Sequence, residues 1–113
     1  MPLSHPLPDQ VVELIARRFR VLGDPTRIRL LERLLEGEAG VGELVDIAGT
    51  TQQNVSKHLS ILLLAGIVGR RKVGTAAYYW IADETVFALC EQVCGTIEHQ
   101  LSELGGLLAD SRR

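Results

Sequence analysis

Residues 41–66 have the sequence VGELVDIAGTTQQNVSKHLSILLLAG, which predicts two helices joined by a tight turn. The first helix is expected over about residues 41–48 and the second over about residues 52–65. The apolar positions expected to face inward recur at helical spacing: Leu44 and Ile47 in the first helix, then Val55, Leu59, Leu62 and Leu63 in the second. Each helix therefore has one apolar face that can pack against the rest of the chain.

The segment between these helices carries the expected stop and start residues. Gly49 closes the first helix, and either Thr50 or Thr51 can cap the second, because a hydroxyl oxygen accepts hydrogen bonds from the free amides of a first turn. Gly66 is well placed as the C-terminal cap of the second helix. Two short helices joined in this way form a helix-turn-helix.

Two more helices are predicted upstream. Asp9 is expected to cap a helix that runs to about Leu22. Asp24 and Pro25 are expected to start the next helix, because Asp24 can accept from first-turn amides and Pro25 fits the first helical position. The apolar stripes expected on these two helices are Val12, Ile15, Phe19 and Leu22, then Ile28, Leu31, Leu34 and Leu35.

Downstream, the apolar spacing changes from that of helices to that of strands. Residues 67–73 and 76–81 are rich in Val, Ile and Tyr, and the Gly-Thr pair between them predicts a hairpin turn. Asp83 is then expected to cap a long last helix over about residues 84–104 or beyond. The predicted fold is mainly α with a small β-hairpin, a winged helix-turn-helix of order α-α-α-α-β-β-α.

The length of 113 residues suits one domain. We expect a flexible arm over residues 1–8, the domain over residues 9–109 and a tail over residues 110–113. No segment reaches the roughly 18 consecutive apolar residues of a membrane helix, and the N-terminus lacks the apolar region of a signal peptide. These features predict a cytoplasmic protein with no membrane partner.

The charge distribution favours a nucleic-acid partner more than the formal net charge of −2 does. Residues 47–82 contain no Asp or Glu, yet they contain Lys57, Arg70, Arg71 and Lys72. A locally basic surface on an acidic protein can attract phosphates, although a chance variation in surface charge would look the same.

Polar residues at the start of the fourth helix are suited to DNA. Gln and Asn amides can pair with adenine in the major groove, while hydroxyl groups and Lys suit phosphate oxygens. The hairpin can present its cations to flanking phosphates or to the minor groove. The predicted DNA-binding residues are Thr51, Gln52, Gln53, Asn54, Ser56, Lys57 and His58 on the helix, with Arg70, Arg71 and Lys72 on the wing. A merely solvated helix face is the alternative, and His58 could instead hydrogen-bond locally.

Three ordered motifs resemble the ArsR/SmtB family of winged-helix repressors. Residues 24–31, DPTRIRLL, resemble the second-helix signature of that family. Residues 54–59, NVSKHL, and the exit AGIV at residues 65–68 resemble its recognition helix, and Gly74 followed by two tyrosines resembles its wing. The resemblance implies a homodimer built from the first and last helices. It also implies repression at a roughly palindromic DNA operator, relieved when an effector binds.

The effector sites of that family are only partly represented. Its third-helix metal site requires cysteines, and residues 42–46, GELVD, contain none. In its last-helix zinc site, Asp83 matches the acidic ligand, whereas Thr85, Thr96 and His99 occupy the other three places. Two threonines cannot replace strong zinc ligands, so Asp83 and His99 remain weak metal candidates.

Cys90 and Cys94 lie four residues apart on the last helix and therefore share one face. In the resembling family this helix joins the two subunits, so four thiols could meet there and bind a soft metal or metalloid, or be oxidised. Plain packing is the alternative, because both cysteines belong to an apolar stripe.

Three hypotheses follow for function. The first is a homodimeric DNA-binding repressor, the second a thiol-redox or soft-metal sensing repressor, and the third a winged-helix module for protein contacts. An enzyme is not expected, because His5, His58 and His99 lie on separate elements and no nucleophile–base pair or phosphate-binding glycine loop is evident.

Overall fold

The computed structural model describes residues 5–111, with side chains up to residue 106. It confirms the predicted winged helix-turn-helix. The elements are α1 Asp9–Leu22, α2 Pro25–Leu34, β1 Ala39–Gly40, α3 Val41–Ala48, α4 Gln52–Leu64, β2 Val68–Val73, β3 Ala76–Ile81 and α5 Glu84–Ser111. Of the predicted arm and tail, residues 1–4 and 112–113 lie outside the described residues, and α5 continues past the boundary expected at residue 109.

The turn between α3 and α4 is built as its sequence predicts. Gly49 takes the left-handed conformation with φ 66°, which a residue with a side chain rarely adopts. Thr51, rather than Thr50, caps α4: its Oγ1 accepts a hydrogen bond from the Asn54 amide at 3.1 Å. The start of α4 is therefore fixed relative to α3.

The hairpin forms part of a three-stranded antiparallel sheet of order β1-β3-β2. Strand β1 is not predicted from the sequence, because two residues are too few to show a strand periodicity. Its Ala39 pairs with Tyr79 of β3 and ties the α2–α3 connection to the wing. Gly69 of β2 lies opposite Trp80, and a Cβ there would collide with the Trp80 ring.

The helix-turn-helix core lies between α2, α3, α4 and the sheet. Its buried side chains are Leu30, Leu31, Leu34, Ala39, Leu44, Val55, Leu59, Leu62, Ile67, Val68 and Tyr79, with Val86 from α5.

Two predictions of burial are wrong. Ile28 is exposed because the buried face of α2 centres on Leu30, Leu31 and Leu34, and Ile47 is exposed because α3 packs through the face that carries Leu44.

Besides Thr51, two of the other three predicted helix caps agree with the structure. Asp24 Oδ1 accepts from the Arg27 amide at 3.1 Å, and Asp83 Oδ1 accepts from the Thr85 amide at 2.9 Å, as expected for N-caps. Asp9 does not cap α1. The cap position is Pro8 and Asp9 is the first helical residue, where its charge still suits the positive end of the helix dipole.

Helices α1 and α5 extend away from this core. No side chain of α1 is buried. The radius of gyration is 17.4 Å, against about 13 Å for a compact domain of this length. The exposed large apolar residues on the two helices are Val11, Val12, Leu14, Ile15 and Phe19 on α1, with Val93, Ile97, Leu101 and Leu104 on α5. Within residues 5–111, no helix is long and apolar enough to cross a membrane.

Candidate nucleic-acid interface

The start of α4 presents most of its predicted polar residues to solvent. Thr51, Gln52 and Gln53 are exposed in the first turn, as are Ser56 and Lys57 in the next. Asn54 differs, because it is partly buried and its Nδ2 donates to Thr50 Oγ1 at 3.3 Å. This hydrogen bond holds Asn54 against the turn.

The two faces of the wing carry different cations. Arg70 pairs with Tyr79 and Lys72 with Ala77, and directly paired residues lie on the same face of a sheet. Tyr79 is only 6% exposed because its face meets the helices. Arg70 and Lys72 therefore lie on the side of the sheet that faces the helix-turn-helix.

A cleft of about 650 Å³ separates the start of α4 from this face of the wing. Gln52 and Ser56 line it from the helix, and Arg70 and Lys72 line it from β2. Asp46 is the one carboxylate among the described lining residues. The cleft thus combines amide, hydroxyl and cationic groups, which are the groups that contact base edges and phosphates.

Arg71 lies on the opposite face of the wing, where other groups of the protein hold it. Its Nε donates to Glu38 Oε1 at 2.5 Å, and its guanidinium lies 4.9 Å from the centre of the Tyr78 ring. The Glu38 carboxylate neutralises the charge of the guanidinium, and the face of the Tyr78 ring stabilises it. The three predicted wing cations therefore divide into two that line the cleft and one that does not.

His58 takes the second of its two predicted roles, a hydrogen bond within the protein. Its side chain is 12% exposed. Its Nδ1 lies 3.0 Å from Nη1 of Arg27 and 3.8 Å from Oδ1 of Asp24. The hydrogen bond from the Arg27 amide lowers the pKa of Asp24, burial opposes this, and the charge of the Arg27 side chain adds a smaller lowering.

Comparison with known proteins identifies the family. The arsR family of bacterial regulatory proteins matches residues 24–69. The transcriptional regulator KmtR of Mycobacterium tuberculosis is 37% identical over 94 residues, which cover 83% of this chain and 72% of KmtR. The chain belongs to the ArsR family. It is a DNA-binding transcriptional regulator.

Two further proteins are similar to this ArsR-family chain. A "Probable mercury resistance operon repressor" of Streptomyces lividans is 41% identical over 86 residues, which cover 76% of this chain and 64% of the repressor. The solution structure of a homodimeric winged helix-turn-helix DNA-binding domain from Mycobacterium bovis superimposes with a TM-score of 0.72 at 28% identity. That match covers 88% of this chain and 95% of the other.

The two cysteines of this ArsR-family chain share one environment. Both are partly buried, and both line an apolar cleft of about 950 Å³ between α5 and the helices α1 and α2. Burial raises the pKa of the Cys90 thiol, and the neighbouring Cys94 raises it further. A raised pKa lowers the fraction of Cys90 thiolate, which is the form that is oxidised and also the form that binds metal ions.

The two weak metal candidates are not brought together within one chain. Asp83 caps α5 and lies 3.8 Å from Arg18, while His99 Nε2 lies 3.1 Å from Glu103 on the same helix. Sixteen residues of helix separate Asp83 from His99, which is about 24 Å. Among the described residues, no three His, Cys, Asp or Glu side chains are grouped as metal ligands would be.

Three residues of this interface are missed by the sequence reasoning. Glu38 holds Arg71 from 33 positions away, and no local pattern indicates that contact. Arg27 contacts His58 across 31 positions, and Arg18 donates to the Ala65 carbonyl across 47. Arg27 belongs to the DPTR motif, so the family resemblance was an available signal for it.

Proposed function

We propose that this ArsR-family regulator is a homodimeric repressor that binds a roughly palindromic operator in double-stranded DNA and is released by an effector. The observation that carries this proposal is the cleft lined by Gln52 and Ser56 of α4 and by Arg70 and Lys72 of β2. A recognition helix and an adjacent basic ribbon can engage the major groove and its flanking phosphates together.

The residues divide by the DNA group that their chemistry suits. Gln52 and Gln53, exposed in the first turn of α4, would read base edges. Thr51, Ser56 and Lys57 would contact phosphates, aided by the helix N-terminus, and Arg70 and Lys72 would do so from the wing. Asn54 and His58 would support the helix from within the protein.

A homodimer through α1 and α5 would cover the apolar side chains that both helices expose. Ile15 and Phe19 of α1, with Ile97 and Leu101 of α5, are 38%, 58%, 51% and 62% exposed. Such a surface is typical of an association face. The M. bovis domain, whose match covers 88% of this chain, is itself described as homodimeric. A regulator of this kind would act in the cytoplasm, on the nucleoid.

The effector we favour is a soft metal or metalloid ion held by Cys90 and Cys94. Both thiols line one apolar cleft beside α2, and thiolates are the ligands that soft ions prefer. The similar S. lividans protein is named a repressor of mercury resistance. Because α5 would join the two copies, an ion bound there would change the spacing of the two recognition helices, which must match half-sites roughly 34 Å apart.

The DNA-reading surface can be tested with Gln53→Ala and, as a matched control on the same helix, Ser60→Ala. Fluorescence anisotropy on the DNA upstream of the gene and on a scrambled duplex measures both affinity and discrimination. Gln53→Ala should lower the discrimination by about tenfold, the value of one good base contact, and Ser60→Ala should leave it unchanged. Unchanged discrimination in Gln53→Ala would refute its role as a base-reading residue. Wild-type binding that does not weaken with salt would favour a protein-contact module instead.

The effector proposal has its own test. Mercuric ion is titrated into the wild-type protein–DNA complex and into that of the Cys90→Ser, Cys94→Ser double variant under reducing-agent-free conditions. We expect the wild type to be released at about two thiols per ion while the variant stays bound. Equal release of both proteins would contradict the assignment of these cysteines, and loss of DNA binding on oxidation alone would support thiol-redox sensing.

A further inference from the structure

The recognition helix α4 is attached to α1 at two separate places, each through an arginine. Arg27, at the start of α2, donates from Nε to the Val21 carbonyl in the last turn of α1 at 2.6 Å. Its Nη1 lies 3.0 Å from His58 Nδ1 in the middle of α4. Arg18 of α1 donates to the Ala65 carbonyl, at the end of α4, at 3.1 Å.

The chemistry of the first attachment fixes the state of the imidazole. A guanidinium has donors only, so His58 Nδ1 is the acceptor in this contact and the ring carries its proton on Nε2. Asp24 fixes the start of α2, from which the arginine extends, because its Oδ1 accepts from the Arg27 backbone amide at 3.1 Å. With a 12% exposed side chain whose Nδ1 is already engaged, His58 is occupied within the protein.

The two attachments define the direction of the α4 axis relative to α1 as well as its distance from α1. His58 and Ala65 are seven residues apart, so the two attachments lie about 10 Å apart along the axis of α4. Two points on one helix fix the direction of its axis relative to α1. The N-terminal turn, which holds Gln52 and Gln53, lies beyond the first of these points and is the part whose position would change most if that attachment were lost.

We propose that Arg27 and His58 are positioning residues for DNA binding: their hydrogen bond holds α4 at a set angle to α1, and so sets the separation of the two recognition helices in the dimer. This inference rests on the proposed function, because α1 matters to DNA spacing only if it joins two copies. It gives His58 a role distinct from contact with phosphates or bases. It also makes Arg18 the second anchor, at the far end of the helix.

The test measures how strongly affinity depends on half-site spacing. The half-sites protected by the wild-type homodimer are first located on the upstream DNA by footprinting. Duplexes are then made with the native spacing and with one base pair added or removed. His58→Leu removes the acceptor at similar volume, and His58→Asn can restore an acceptor oxygen near the position of Nδ1. Arg27→Gln retains a donor but removes the charge, and Ser60→Ala on the same helix is the control.

We expect the wild type to prefer the native spacing and His58→Leu to bind the native duplex about tenfold more weakly, the value of one hydrogen bond to a charged group. Its affinities for the three spacings should become nearly equal, and the salt dependence should not change. His58→Asn should recover most of the spacing preference, which a general loss of stability would not allow. Arg27→Gln should resemble His58→Leu, and the two changes combined should cost little more than either alone.

Two results would overturn the inference alone: a spacing preference in His58→Leu equal to that of the wild type, or a salt slope lowered by about one unit for each His58 lost, which would reveal a phosphate contact. If His58→Leu does not fold, Arg27→Gln and His58→Asn give the same comparison. A wild type that binds DNA with no dependence on spacing would overturn the dimeric repressor as well as this inference.

Discussion

The helix-turn-helix core and the two helices that extend from it bury their apolar residues to very different degrees. Among the side chains that the structure describes, all but one of the buried apolar ones belong to the region from α2 to β3, and the exception is Val86 at the start of α5. Helix α1 buries no side chain. Its Phe19 is 58% exposed, and Leu101 on α5 is 62% exposed. The core is therefore completed by contacts within one chain, whereas α1 and α5 have apolar faces suited to a second copy.

The largest effect is expected from Leu62→Ala, which truncates a side chain inside the core. Leu62 is 0% exposed in the middle of the core, so its truncation should lower the free energy of unfolding by about 3–4 kcal/mol. Leu64→Ala, two residues along the same helix but 90% exposed, should change it by less than about 0.5 kcal/mol. Urea unfolding at one fixed protein concentration measures both, and similar losses would contradict the assignment of the core.

The second prediction concerns the extended helices. Ile15→Glu places a charge on the apolar face of α1, and each copy then loses the burial of a side chain worth about 1.5 kcal/mol. The dissociation constant of the homodimer should therefore rise about a hundredfold. Sedimentation equilibrium measures it, with Leu64→Glu as the control outside α1 and α5. A dimer that tolerates Ile15→Glu as well as Leu64→Glu would show that α1 is not part of the interface.

The smallest expected effect is a pH dependence of stability that arises at the start of α2. The pKa of Asp24 is lowered in the folded protein, so its charge stabilises the fold above the ordinary pKa of 3.8 and this contribution is lost as the pH falls through the lower folded value. Asp24→Asn keeps a capping oxygen but removes the titration. Urea unfolding between about pH 5 and pH 2 should show a weaker acid loss than in Asp9→Asn, whose side chain caps nothing. Equal acid losses in the two variants would contradict this role for Asp24.

Much of the fold could be predicted from local patterns. Apolar spacing and turn residues place α3 at the bounds that the structure has and α1 within one residue of them, and the Gly-Thr pair places the hairpin turn. The errors arise where tertiary contacts decide. Strand β1 forms only because Ala39 meets Tyr79, and the exposure of Ile28 depends on which flank of α2 meets the core.

The candidate interface was predicted as a set of residues but not as an arrangement. Alternation along β2 separates Arg71 from Arg70 and Lys72, but only the burial of Tyr79 shows which of these two faces meets the helices. The roles of Arg71 and His58 depend on Glu38 and Arg27, which lie more than thirty positions away along the chain. No local pattern specifies contacts of that range.

The most direct test of the account is the salt dependence of DNA affinity in Arg70→Ala, Lys72→Ala compared with Arg71→Ala. Each phosphate contact contributes about 0.9 to the slope of log affinity against log salt, so the double variant, which loses four contacts in a dimer, should lower the slope by roughly 3 to 4. Arg71→Ala should leave it nearly unchanged, because Glu38 and Tyr78 already hold that guanidinium. Equal slopes in the two variants, or a larger loss in Arg71→Ala, would contradict the proposal that the cleft between α4 and the wing binds DNA.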